Sequence, residues 1–194
     1  MNDPDYIHPP AIVSRIVEET NESGFAMASE PRTGALLRAL AASKPNGRFL
    51  ELGTGTGIAT AWLLAGMDAD SKLISVDIDA RFQGLAHRFL GSDPRLTLVL
   101  EDGTPFLRRQ LPDTYDFVFA DAMPGKYEGL EDCLRVVKPG GLYVIDDMLP
   151  QENWPEGHAA KIPPLLKTLA NDPHLTIVPM TWASGIVVAV KRAE

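Results

Sequence analysis

From Arg48 onward, short β-rich runs alternate with stretches whose apolar residues recur at helical spacing, the sequence form of an α/β fold with a mostly parallel sheet. Strands are expected at Arg48–Leu52, Leu73–Asp77, Leu96–Leu100, Tyr115–Ala120 and Leu142–Asp146. The runs FVFA and LYVI in the last two are almost continuously apolar, as when helices cover both faces of a sheet. Between the strands, helices are expected at Ile58–Gly66, Ala80–Leu90, Thr104–Gln110 and Tyr127–Val137, the last stopped by Lys138-Pro139-Gly140-Gly141. A polar, proline-containing loop, Leu149–His158, follows the fifth strand, and a further helix starts near Pro163-Pro164, where proline suits a first turn. Two closing strands, Leu175–Met180 and Gly185–Lys191, lie near enough for an antiparallel pair, which brings the sheet to seven strands. Ahead of all this, Ala11–Glu22 and Thr33–Ala42 read as helices joined by the small-residue stretch Ser23–Pro31. No repeat or linker interrupts the pattern, so one domain is expected, with a helical segment over residues 1–45 and an α/β core over 46–194.

Composition narrows the partners. The chain has 194 residues, and 18 Lys+Arg against 26 Asp+Glu give a net charge of −8, a field that repels phosphate backbones. Nucleic acid is therefore excluded as the expected partner. No apolar run approaches the ~20 residues of a membrane span, and the first residues, MNDPDYIHPP, lack the basic-then-apolar form of a secretory signal. A cytoplasmic protein without a membrane partner is the expectation. The single Cys133 rules out a disulfide framework and lies among apolar residues of a helix, as an inert buried thiol would. His8, His87 and His174 are scattered without metal-ligand spacing, and no G-x-S-x-G elbow is present.

The sharpest local signal is Phe49-Leu50-Glu51-Leu52-Gly53-Thr54-Gly55-Thr56-Gly57, a strand that runs into a glycine-rich turn and then a helix. Such a turn lets a ligand approach bare backbone, and the helix beyond offers free N–H groups and a positive dipole end. A dinucleotide fingerprint would read G-x-G-x-x-G, and here the third glycine comes one residue early; no Gly-Lys-Ser/Thr follows for a P-loop either. The alternative is a turn that binds nothing. An acid also stands at or just beyond the end of every strand of the alternating part: Glu51, Asp77, Asp102, Asp121 and Asp146-Asp147. One such acid is commonplace as a helix cap, and Asp79 reads as the N-cap of the helix at Ala80, but five on one edge repel unless donors or cations face them.

The glycine stretch resembles motif I, E/D-x-G-x-G-x-G, of the class I S-adenosylmethionine-dependent methyltransferases. The resemblance implies a Rossmann-like methyltransferase fold and S-adenosylmethionine as cofactor. It implies a binding set of Glu51, Gly53, Thr54, Gly55, Gly57, Asp77, Ile78, Asp102, Gly103 and Asp121. In it, Asp77 accepts the ribose hydroxyls, Asp102 stands near the adenine amine, and Glu51 supports the loop and the methionine end.

After the fourth strand, Ala120-Asp121-Ala122-Met123-Pro124-Gly125-Lys126-Tyr127 does not match the N/D-P-P-Y/F of amide and base nitrogen methylation. It is similar instead to the small bacterial O-methyltransferases related to catechol O-methyltransferase, as are Asp146-Asp147 and the upstream Glu30–Leu37 segment, so that the likeness spans roughly residues 27–150. This second resemblance implies a small hydroxylated, aromatic or catechol-like acceptor, a divalent cation such as Mg²⁺ on Asp121, Asp146 and Asp147, and Lys126 with Asp121 as catalytic residues, Lys126 as base. A homodimer is a further expectation. The lysine of that group sits three residues after its Asp, whereas Lys126 comes five after Asp121. If Lys126 is not the base, His158 in the Leu149–His158 loop is, and Trp154 there suits stacking on a planar substrate. Two other classes remain open on sequence alone: a non-catalytic binder of adenosylmethionine or adenosylhomocysteine, and a nicotinamide-dependent oxidoreductase, which the missing G-x-G-x-x-G opposes.

Overall fold

The computed structural model describes residues 3–193. Among these residues, apart from two short 3-10 turns at Asp3–Tyr6 and His158–Lys161, seven α-helices and seven strands follow in the order α1 Ala11–Ser23, α2 Pro31–Ala42, β1 Arg48–Leu52, α3 Ile58–Gly66, β2 Lys72–Asp77, α4 Ala80–Leu90, β3 Leu96–Leu100, α5 Gly103–Arg109, β4 Tyr115–Ala120, α6 Leu130–Val136, β5 Val137–Ile145, α7 Ile162–Asn171, β6 Leu175–Met180 and β7 Ile186–Lys191. The strands form one sheet in the order β3-β2-β1-β4-β5-β7-β6. The first five are parallel; β7 runs antiparallel to both β5 and β6. This is the mostly parallel seven-stranded sheet with an antiparallel final pair that the periodicity predicts, and it agrees with the fold that the resemblance to class I methyltransferases implies.

Alternation along the strands divides the core between the two faces. Phe49, Phe117, Phe119, Leu142 and Val144 pack with α1, α2 and α3 through Ile16, Leu37 and Trp62. Leu50, Leu52, Val118, Tyr143 and Ile145 pack with α5, α6 and α7 through Phe106, Cys133 and Leu169. Cys133 is buried, and burial pushes its thiol well above its ordinary pKa, so it is inert packing. Because the chain leaves β1 toward β2 and β3 and returns to its other side with β4, the strand order reverses at β1/β4. A crevice opens there beyond the carboxyl ends, where doubly wound sheets bind ligands. Among the described residues, no helix is long and apolar enough to cross a membrane.

Two elements depart from the periodicity. The helix expected from Tyr127 starts only at Leu130, because residues 123–129 form a tight turn. In that turn Gly125 N donates to Glu128 O at 2.7 Å, and Tyr127 N and Glu128 N both donate to Met123 O. Strand β5 begins at Val137 rather than Leu142: Val137 pairs with Tyr115, and a register break before Phe117 absorbs the Pro139-Gly140-Gly141 turn.

Candidate functional site

At the end of β1 the backbone turns sharply, with Gly53 at φ 102° and Gly55 at φ 50°. A Cβ on Gly53 would lie 2.6 Å from the Asp121 carbonyl oxygen, and one on Gly55 would meet the Phe25 ring at 2.9 Å. Glycine is thus required at Gly53 by conformation and by space, while at Gly55 a side chain would have to take a left-handed conformation and displace the Phe25 ring. The loop is tied to the end of β2: Gly55 N donates to Asp77 Oδ2 at 2.7 Å and Asp79 N to Asp77 Oδ1 at 2.8 Å. Each Asp77 oxygen keeps a lone pair for a ligand. Asp79 accepts from Arg81 N at 2.9 Å and caps α4, the role its position predicts.

Gly53, Thr54, Gly55, Asp77, Ile78 and Asp121 line a cavity of about 610 Å³. The other sequence candidates lie at or behind its walls. Gly57, left-handed at the start of α3, is pressed against Ala86 and Leu90 of α4. Asp102 caps α5 by accepting from Thr104 N at 2.8 Å, and with Gly103 and Ile78 it lines a side cleft of about 250 Å³. Glu51 is wholly buried under the loop and does not reach the cavity. Its Oε2 accepts from Thr60 and Ser75, each at 2.5 Å, and Ser75 bonds Thr54, which also accepts from Gln83 Nε2 at 3.2 Å. Glu51 Oε1 has no partner, and burial pushes the carboxyl pKa up to about 7. Its place is beneath the glycine loop, holding β1, β2 and α3 together.

The far end of the cavity is built on β4 and β5. Burial and the Asp146 charge push the Asp121 pKa well up, and Ser29 Oγ donates to its Oδ2 at 3.1 Å. Asp146, 1% exposed, lines a small adjoining pocket with Asp121 and Asp147, and its Oδ1 accepts from Ser184 Oγ, Asp147 N at 2.9 Å and Thr33 Oγ1 at 3.5 Å. Asp147 takes a left-handed conformation at φ 56°, lines the cavity, and is pushed up to about 6 by burial and by Asp146. Lys126 is 4% exposed; its Nζ donates to the Asp146 carbonyl oxygen at 2.7 Å and lies 3.9 Å from Asp121 Oδ1.

Asp121, Asp146 and Asp147 do not fit a divalent cation in this arrangement. Among the described residues, no three His, Cys, Asp or Glu groups converge to hold a metal. Mg²⁺ takes oxygens at ~2.0–2.1 Å in a near-ideal octahedron, and here one Asp146 oxygen is saturated by three donors while an ammonium faces Asp121.

Beside Lys126 stands an aromatic wall. The His158 ring lies 5.3 Å from that of Tyr127, edge to face, and 4.6 Å from that of Trp154. Lys161 Nζ sits 5.6 Å from the centroid of Tyr127, and burial together with the charges of Lys161 and Lys126 lowers the His158 pKa, which favours the neutral imidazole. From the stretch between α1 and α2, Met27 lines the same cavity, while Phe25 packs on Phe82 at 4.6 Å beside the glycine loop. Asn153 Nδ2 donates to Ala26 O at 2.7 Å and ties the two covering loops together. Sequence reading left Phe25, Met27, Ser29 and Lys161 without a role; two large apolar residues in an otherwise small-residue stretch were the available signal.

Comparison with known proteins bears on this site. Relatives whose names carry the term O-methyltransferase include one from Mycobacterium avium, 30% identical over 86% of this chain and 79% of its own length, and one from Mycolicibacterium vanbaalenii, 29% identical over 95% and 86%. Among solved structures, the O-methyltransferase TomG from Streptomyces achromogenes, in complex with SAM, has a TM-score of 0.81 at 21% identity, covering 96% of this chain and 92% of that one. The O-methyltransferase from Bacillus cereus, in complex with SAH, reaches 0.83 at 18% identity over 96% and 93%. At such identities these two establish the fold alone. The decisive match is a family model described as O-methyltransferase that spans residues 7–192, nearly the whole chain, and it is to the O-methyltransferase family that this protein belongs.

Proposed function

We propose that the chain transfers a methyl group from S-adenosylmethionine to a hydroxyl of a small aromatic acceptor. The observation that carries this reading is one continuous cavity with two chemically different ends. A glycine loop and the Asp77 carboxylate stand at one end; a buried lysine and an aromatic wall stand at the other. The cofactor half suits the donor: the glycine loop leaves its backbone bare at the cavity wall, and the Asp77 carboxylate beside it keeps lone pairs open for hydroxyl groups. The SAM and SAH bound in the two structural relatives support the same ligand here.

When bound, S-adenosylmethionine supplies the methyl group from its sulfonium. Gly53–Gly57 and the N-terminus of α3 present backbone N–H groups, and Asp77 anchors the ribose. Tyr127, Trp154 and Met27 would hold a planar acceptor with one hydroxyl turned toward the donor, an orientation that lowers the barrier to transfer. Lys126 faces that hydroxyl and stabilises the negative charge growing on its oxygen. Neutral His158 takes the proton, so Lys126 acts as a cation and not as the base.

Calorimetry with adenosylmethionine, followed by mass spectrometry of a phenol and catechol panel incubated with enzyme and donor, tests the reading. Micromolar binding and one added methyl on an aromatic hydroxyl are expected. Binding without transfer to any acceptor would return the protein to the class of non-catalytic binders, and binding of NADH in place of adenosylmethionine would sink the proposal.

A further inference from the structure

The acid-rich end of the cavity already contains a cation, and it belongs to the chain. Asp121, Asp146 and Asp147 lie together, and Glu30 adds to the field on Asp147. Carboxylates collected in this way need a positive partner. Lys126 meets that need from inside the fold, with its ammonium between the Asp146 carbonyl oxygen and Asp121 Oδ1. At 4% exposure it is itself a charge that must be paired.

The turn between β4 and α6 puts it there. Lys126 N, Tyr127 N and Glu128 N all donate to Met123 O, and Gly125 adopts φ 82° with its carbonyl oxygen accepting from the Tyr143 hydroxyl in the core. A Cβ on Gly125 would collide with Leu52, so the turn is pressed onto the end of β1 and the next side chain is directed under β5.

We propose that Lys126 is the resident cation of this site, taking the place of a divalent metal, and that methyl transfer by this enzyme is metal-independent. The proposal rests on the reading of the site as an O-methyltransferase. Three of the oxygens a metal would need are committed: Asp146 Oδ1 to Ser184, Thr33 and Asp147 N, the Asp146 carbonyl oxygen to Lys126, and Asp121 Oδ2 to Ser29. A doubly charged ion would also have to settle beside an ammonium, a like-charge contact with little water to screen it.

The test compares the wild type, Lys126→Arg and Lys126→Met after EDTA treatment and desalting, using Mn²⁺ binding by electron paramagnetic resonance and the effect of Mg²⁺ on Tm. Wild type and Lys126→Arg keep a cation in place and should take up no stoichiometric Mn²⁺ and show no Mg²⁺ shift. Lys126→Met leaves the acids uncompensated and should gain one Mn²⁺ site, with Tm raised by roughly 2–4 °C in millimolar Mg²⁺. Uptake of one Mn²⁺ by the wild type, or a folded Lys126→Met protein that takes up none, would overturn the proposal. Calorimetry of adenosylhomocysteine binding to the EDTA-treated wild type keeps the two readings apart. Loss of that binding counts against the O-methyltransferase assignment, whereas intact binding with a metal-responsive wild type counts only against Lys126 as the resident cation.

Discussion

The two ends of the cavity are built in opposite ways. The cofactor end is made of backbone conformation and of bonds between neighbouring strands: Gly53 and Gly55 at positive φ, Asp77 holding Gly55 N, Asp79 capping α4. The acceptor end is made of side chains brought from far apart in the chain. Ser29 bonds Asp121 across 92 positions, Thr33 reaches Asp146 across 113, and Asn153 reaches Ala26 across 127. A ligand common to many enzymes can be held by a turn whose shape survives changes elsewhere, whereas an acceptor is selected by whatever side chains the loops bring over the strand ends. Substitutions at the first end should therefore act on cofactor affinity, and those at the second on turnover.

The most severe break is expected at Gly55→Val. A β-branched residue does not adopt φ 50°, and its Cβ would press on Phe25, so adenosylmethionine binding should vanish even at millimolar ligand while circular dichroism reports a folded chain. Retained affinity in calorimetry would make the loop structural only. Next comes His158→Ala, which should cost roughly 10²–10⁴-fold in kcat and leave cofactor affinity alone. Because its surroundings lower the His158 pKa, the acidic limb of the kcat/KM profile should lie below pH 6.5, persist in Asp147→Asn and disappear in His158→Ala. A limb lost with Asp147 instead would transfer the role of base to that carboxylate, which is held at about 6.

Asp77→Ala should weaken adenosylmethionine binding by about 1.5–3 kcal/mol, some 10- to 150-fold, with kcat at saturating donor little changed. An undiminished affinity would remove Asp77 from the ribose site. The smallest effect on catalysis is expected at Glu51, whose signature is stability. Its ordinary pKa of 4.5 applies to the unfolded chain, and the folded value is about 7. Between these the native state holds the extra proton, so stability falls as pH rises from 4.5 to about 7 and levels off above, by up to about 3 kcal/mol. Glu51→Gln should flatten that slope in urea unfolding curves at pH 5 and 8; an unchanged slope would mean that Glu51 is charged in the native state.

Much of this molecule is legible along the chain. The strand edges at Arg48, Leu100, Ala120 and Met180 follow from hydrophobic periodicity, and Asp79 as a cap follows from its place before Ala80. The late start of α6 is harder to see, because Tyr127, Leu130 and Leu134 have helical spacing while the bonds that hold residues 123–129 in a turn converge on one carbonyl, Met123 O. The same turn decides the chemistry of Lys126, and a residue count from Asp121 cannot tell a solvated lysine from a buried one.

The sequence alone determined what depends on neighbours in the chain: the alternation of strands and helices, the glycine turn after β1, and an acid at every strand end beside the crevice. Period and backbone conformation are local properties, and a parallel α/β sheet has few ways to satisfy them. Only the tertiary structure decided that Glu51 lies beneath the cavity and not in it, that Ser184 and Thr33 bond Asp146, that Lys126 is buried between the Asp146 carbonyl and Asp121, and that His158 packs against two rings. These depend on β7 lying beside β5 and on two distant loops meeting over β4, so that burial and charge at each group are set by residues the chain places far away.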